Sequence, residues 1–187
     1  MAVLRRGANT ALTREIPGLT GLVLGVRWNT GAEKVLADHL VVATILCDDG
    51  GRAISDEHFV FFNQLAEPAM SVRQLAEAVG DDAEQVEIHF AAVPPEVRRI
   101  FVVLYVNETT GLRRSLGQLR EVVVRVLALE DNRELVRSEN LAQPLTAETA
   151  MSLGEVYRHS GGWKFRVVGE GYQTGIVGLA KDYGVNL

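Results

Sequence analysis

A chain of 187 residues, 47% hydrophobic and 23% charged, has the make-up of one globular domain, and at this size folding buries roughly 70% of the unfolded surface without any staple. Its net charge of −5 runs against a duplex nucleic-acid binder, whose affinity rests on neutralising phosphates. Cys47 is the single cysteine, which excludes an intrachain disulfide and a multi-thiolate metal site.

At the N-terminus, Arg5-Arg6 runs into Gly7-Ala8-Asn9-Thr10-Ala11-Leu12-Thr13-Arg14-Glu15, which lacks the apolar stretch of a signal peptide. Apolar runs elsewhere, such as 100–106, are strand-length. The expectation is a cytoplasmic protein with no membrane span, for which peripheral association stays open. Strands are expected over 21–27, 36–46, 59–62, 85–90, 100–106, 122–129, 134–139, 150–159 and 163–168. Alternation is plain in Val86, Ile88 and Phe90 against Glu87 and His89. Asp49-Gly50-Gly51, Pro94-Pro95, Asp131-Asn132 and Gly161-Gly162 punctuate the strands as turns. Ser71 is expected to cap a helical turn carrying Val72, Leu75 and Val79. A second helix is expected over 174–183, stopped by Gly184.

So many strands with so few crossover helices predict a mainly β protein, a two-sheet β-sandwich with short peripheral helices, in a single domain over 1–187. Its core should include Val23, Ile45, Phe61, Ile88, Val103, Val124 and Phe165. Trp163 and Tyr157 should anchor the last hairpin by packing.

Familiar chemical motifs fall short. Counting from Asp48, an EF-hand would need oxygen ligands where Gly50, Arg52 and Phe59 stand, so Asp48-Asp49-Gly50-Gly51 reads as a hairpin turn. Gly169, Gly171 and Gly175 miss the phosphate-loop spacing and read as a turn into the terminal helix. His39, His58, His89 and His159 show no metal-binding spacing, and Cys47 has no activating neighbour in sequence. The arginine pairs Arg98-Arg99 and Arg113-Arg114 read as solvated loop charge.

The stretch Glu148-Thr149-Ala150-Met151-Ser152-Leu153-Gly154-Glu155-Val156-Tyr157-Arg158-His159, continuing through Gly162-Trp163-Lys164-Phe165 to Gly178-Leu179-Ala180-Lys181-Asp182-Tyr183-Gly184, resembles the signature of the TerD family. Arg6-Gly7-Ala8-Asn9, Pro17-Gly18-Leu19, Ser55-Asp56 before Phe59-Val60-Phe61-Phe62-Asn63, and Leu116-Gly117-Gln118-Leu119-Arg120 resemble further family segments, in the same order. The resemblance implies a two-sheet sandwich, calcium binding, and stress roles that include tellurite tolerance alongside other Ter-type proteins.

Calcium wants six to eight oxygens, and the family offers a D-L-D strand and a G-D-G-D-D-E loop. In register, the first falls on His39-Leu40-Val41, so both carboxylates are missing. Asp38 is adjacent, and on a strand a one-residue offset turns it to the other face. The second falls on Val79-Gly80-Asp81-Asp82-Ala83-Glu84, where Asp82 and Glu84 keep acidic positions and Asp81 stands in place of a glycine. A later acidic position falls near Asn107-Glu108. The candidate metal ligands are thus Asp38, Asp81, Asp82, Glu84 and Asn107, a degenerate calcium site. The expected function is a non-enzymatic stress-response and tellurite-resistance module that acts through protein partners, with calcium binding reduced or lost. The alternative is a working calcium sensor.

Overall fold

In a computed structural model, which describes residues 2–107 and 114–187, the chain forms two six-stranded sheets. The first has the order β1 (Ala2–Leu4), β10 (Glu134–Ser138), β9 (Glu121–Ala128), β3 (Gly21–Asn29), β7 (Glu84–His89), β6 (Val72–Gln74). The second runs β2 (Asn9–Ala11), β12 (Gly162–Tyr172), β11 (Ala150–His159), β8 (Arg99–Val106), β4 (Leu40–Cys47), β5 (Phe59–Val60). All pairings are antiparallel except β1 with β10. Among the described residues the α-helices are α1 (Lys34–His39) and α2 (Gly175–Tyr183). The expected two-sheet architecture is therefore the observed one.

Strand alternation builds the core between the sheets. Leu22, Leu24 and Val26 of β3, Val86 and Ile88 of β7, and Val122, Val124 and Val126 of β9 face Ile100, Val102 and Leu104 of β8 and Trp163, Phe165 and Val167 of β12. The central strands β4 and β8 are apolar on both faces, because a second, smaller core lies on the far side of their sheet. There Ala43, Ile45, Phe101 and Val103 receive Leu179, Ala180 and Tyr183 of α2. Gly184 ends that helix in the left-handed region, at φ 74, and its N–H reaches the carbonyls of Ala180 and Lys181.

Of the expected core residues, Ile88, Val124 and Phe165 lie between the sheets, and Ile45 and Val103 lie under α2. Val23 is buried but falls, by alternation, on the outer face of the first sheet. Phe61 is only half-buried against the smaller core, because the strand expected over 59–62 stops at Val60 and the chain reverses through paired Phe61–Gln64 backbone bonds. The strand expected from residue 36 begins at Leu40, since Lys34–His39 wind into α1 around buried Leu36. Ser71 caps no helix: its hydroxyl donates to buried Glu67, and Val72–Gln74 pair with β7 as a strand. Gly169 and Gly171 belong to β12, which runs on to Tyr172, rather than to a turn. Trp163 is the expected anchor, 6% exposed and stacked on Phe90 at 5.0 Å between ring centres. Tyr157 is not, because it stands half-buried on the outer face of the second sheet beside His159.

Candidate functional site

The acidic loop before β7 divides its carboxylates between two faces of the molecule. Asp82 turns onto the outer face of the first sheet, where its side chain is 0% exposed. Arg125 of β9 donates to it from Nε at 2.8 Å and from Nη2 at 2.7 Å, and Gln85 Nε2 adds a third bond at 2.8 Å. Arg125 also donates from Nη1 to Glu134, which pairs in turn with Arg137. The Arg125 guanidinium is held protonated far above its ordinary range, the hydrogen bonds to Asp82 being the largest cause. Gly25 lies under the Asp82 carboxylate, and any Cβ there would collide with it.

Glu84 goes elsewhere. At one end of the sandwich, where β4 and β7 begin and β8 ends, a cavity of about 470 Å³ opens. Its polar lining comes from Asp38, His39, Gln74, Glu84 and Asn107, and its apolar lining includes Val41, Phe62, Leu65 and Leu75. Burial pushes the Glu84 carboxyl above its ordinary value, against the opposing pull of a 3.0 Å hydrogen bond from Gln74 Nε2. Gln74 Oε1 is buried without a partner among the described residues. Nearby, the Glu67 carboxylate accepts from the amides of Ala69, Ser71 and Val72 and from the Ser71 hydroxyl, bracing the turn before β6.

The five candidate ligands are thus not gathered into one cage. Asp38, Glu84 and Asn107 share the cavity, together with His39 and Val41 at the positions where the resemblance calls for carboxylates. Asp38 reaches it from α1, so the strand-alternation argument does not govern its direction. Asp82 is committed to Arg125, and Asp81 stands exposed beside Gly80, the residue that takes the left-handed backbone at φ 78. Glu108 lies outside the described residues. Among the described residues no three of His, Cys, Asp and Glu cluster so as to hold a metal ion. Two carboxylates and an amide leave calcium's shell of about six to eight oxygens to be completed by carbonyls and water. The residues present fit that ion poorly.

Sequence reasoning missed Arg125, Gln74 and Glu67. A signal existed for the first, a lone charge in the run Val122-Val123-Val124-Arg125-Val126-Leu127, where alternation turns it away from the core. None marked the other two.

The family described as TerD domain matches residues 1–183. General stress protein 16U of Bacillus subtilis (strain 168) is 35% identical over 98% of this chain and 97% of its own length. Tellurium resistance protein TerD of Serratia marcescens is 33% identical, again over 98% of this chain and 97% of its own. The crystal structure of a homologue of telluride resistance protein (TerD) from Streptomyces coelicolor A3(2) superposes with a TM-score of 0.65 at 18% identity, over 87% of this chain and 96% of that one. At that identity the structure speaks for the fold alone.

Proposed function

This chain belongs to the TerD family, and from that premise we propose that it is a non-enzymatic stress-response and tellurium-resistance module that acts through protein partners, with calcium binding reduced or lost. The observation that carries the calcium part is the locking of Asp82 by Arg125. An acid that the family pattern assigns to the metal is here a closed ion pair on another face. His39 and Val41 thin the remaining cavity further.

Two features support partner action without catalysis. Phe62 and Leu65 stand 51% and 53% exposed at the cavity's rim, an apolar surface suited to a protein partner, other Ter-type proteins among them. Cys47, the only thiol, is buried and pushed up to about 12, so it stays protonated and inert as a nucleophile. The test is survival under tellurite of cells that depend on this chain, carrying Phe62→Asp with Leu65→Asp. The reading expects lost resistance with an unchanged melting temperature; full resistance would remove this surface from the account.

The alternative reading, a calcium sensor, is favoured by one observation: Asp38, Glu84 and Asn107 do border the same cavity. Saturable calcium binding that depends on Glu84 would replace the first reading with it.

A further inference from the structure

The outer face of the second sheet carries a different constellation, set by a bulge. Along β11 the register shifts between Ser152 and Gly154. Ala150 and Ser152 face α2 before the bulge, and Glu155 and Tyr157 take the same outer face after it. Cross-strand pairing then sets Lys164, Tyr157 and Arg99 in one row and Arg166, Glu155 and Phe101 in the next. α2 covers this face only as far as Tyr183, whose ring packs on Phe101 at 4.7 Å. Beyond it lies a cleft of about 350 Å³ bordered by Asp49, Arg99, Glu155, Tyr157, His159 and Arg166.

Of the two acids that border the cleft, Glu155 is already satisfied. Glu155, its side chain 3% exposed, accepts Arg99 Nε at 2.8 Å and Arg99 Nη2 at 3.2 Å, and forms an ion pair with Arg166, whose Nη2 lies 2.7 Å from Oε1. Three guanidinium groups, those of Arg99, Arg166 and Arg158, thus border the cleft against two carboxylates, Glu155 and Asp49, while Lys164, next in the row, borders a neighbouring hollow. Arg166 Nε is buried and has no acceptor among the described residues, whereas the side chain as a whole is 39% exposed, so a ligand in the cleft meets its outer part and not Nε. Asp49 borders the mouth as the competing carboxylate. Arg158 also borders the cleft, but its guanidinium turns to the carbonyls of Val93, Pro94 and Val97 and lies 4.4 Å over the Trp163 ring.

We propose that this cleft is a binding site for a small tetrahedral oxyanion of the phosphate type, free or as a phosphate monoester, held by Arg99, Arg166 and the Tyr157 hydroxyl. Guanidinium groups present planar forks that match such oxygens, and Glu155 holds two of them in place before any ligand arrives. The cleft is open to solvent, so binding is modest and weakens with salt. It stands on a different face from the acidic cavity and is independent of the calcium reading, which calcium alone tests.

The experiment is an NMR titration of the nitrogen-15-labelled full chain at neutral pH, with ionic strength held constant by potassium chloride. One arm uses inorganic phosphate and the other glycerol 3-phosphate. Saturable shifts at the amides of Arg99, Glu155, Tyr157 and Arg166 are expected. Tyr157→Phe should weaken binding several-fold, and Tyr157→Phe with Arg166→Gln by about tenfold or more. Tyr157→Phe alone should melt with the wild type, which keeps loss of binding separate from loss of fold. Saturation by phosphate alone assigns the free ion, and equal or tighter binding of glycerol 3-phosphate assigns phosphate esters; both support the proposal. Shifts that never saturate, that potassium chloride reproduces, or that Tyr157→Phe with Arg166→Gln leaves unchanged overturn it.

Discussion

Arg125 Nε and Nη2 close on the two carboxylate oxygens of Asp82 at 2.8 and 2.7 Å, a paired bond buried on the outer face of the first sheet. Paired bonds of this kind are among the stronger side-chain interactions because both charge and geometry are matched. With the Gln85 bond they take three of the carboxylate's roughly four lone-pair sites and leave little for a metal.

The pair is structural, so breaking one side should destabilise the chain whatever the calcium level. Asp82→Ala leaves Arg125 with Glu134 as its remaining partner and is expected to cost about 3 kcal/mol in urea unfolding. Asp82→Leu with Arg125→Met should recover most of that loss, since no buried charge is then left unpaired. Gly25→Ala should mimic Asp82→Ala, because its new Cβ occupies the carboxylate's place. A full-stability Asp82→Ala would show the pair to be incidental.

Trp163 joins the last hairpin to the inter-sheet core, stacked on Phe90 and under Arg158. Its truncation to Ala is expected to cost about 3–5 kcal/mol. Denaturant melts of the variant check this, and a loss below about 1 kcal/mol would contradict the packing role.

Glu84 sets a pH dependence whose sign follows from burial. Its folded carboxyl is raised above the unfolded value, so the folded state holds its proton to higher pH. Stability from this group is therefore present in acid and declines as pH rises from the unfolded value through the raised one. Glu84→Gln removes that decline. The variant should match or exceed the wild type near neutral pH, by less than about 1 kcal/mol because the group is half open to water, and lose its advantage in acid. Unfolding curves across that pH range decide it.

Cys47 should resist alkylation in the native chain, since burial, then Asp48, raises its thiol to about 12 against the pull of Arg99. Iodoacetamide at about pH 8 is expected to label it only on unfolding. Rapid native labelling would mean that α2 opens readily from the sheet beneath it.

Much of the fold could be read from the chain because alternation in segments such as Val86 to His89 is a direct image of a two-faced sheet. What escaped was decided by tertiary context. Residues 36–39 are apolar and polar in an order that suits a strand or a helix, and the burial of Leu36 selects α1. Val72–Gln74 became a strand because β7 offered an edge. At the candidate site, the sequence showed which acids were missing, His39 and Val41 standing in their register. It could not show that Asp82 faces away, since its partner Arg125 lies 43 positions along the chain. Nor could it show the cleft around Glu155, which depends on a one-residue bulge and on three different strands.

This chain keeps the TerD sandwich, and the proposal is that its acids no longer serve calcium well. A ligand near its Kd stabilises a fold by only about 0.4 kcal/mol, against about 2.7 kcal/mol at a hundred times Kd. The most direct measurement is calorimetric titration of the chelator-treated chain with calcium to about 1 mM, the range of weak oxygen sites. Heats no different from dilution are expected for the wild type, and a saturable isotherm once His39→Asp and Val41→Asp return the two carboxylates. A saturable isotherm in the wild type, abolished by Glu84→Gln, would contradict the proposal.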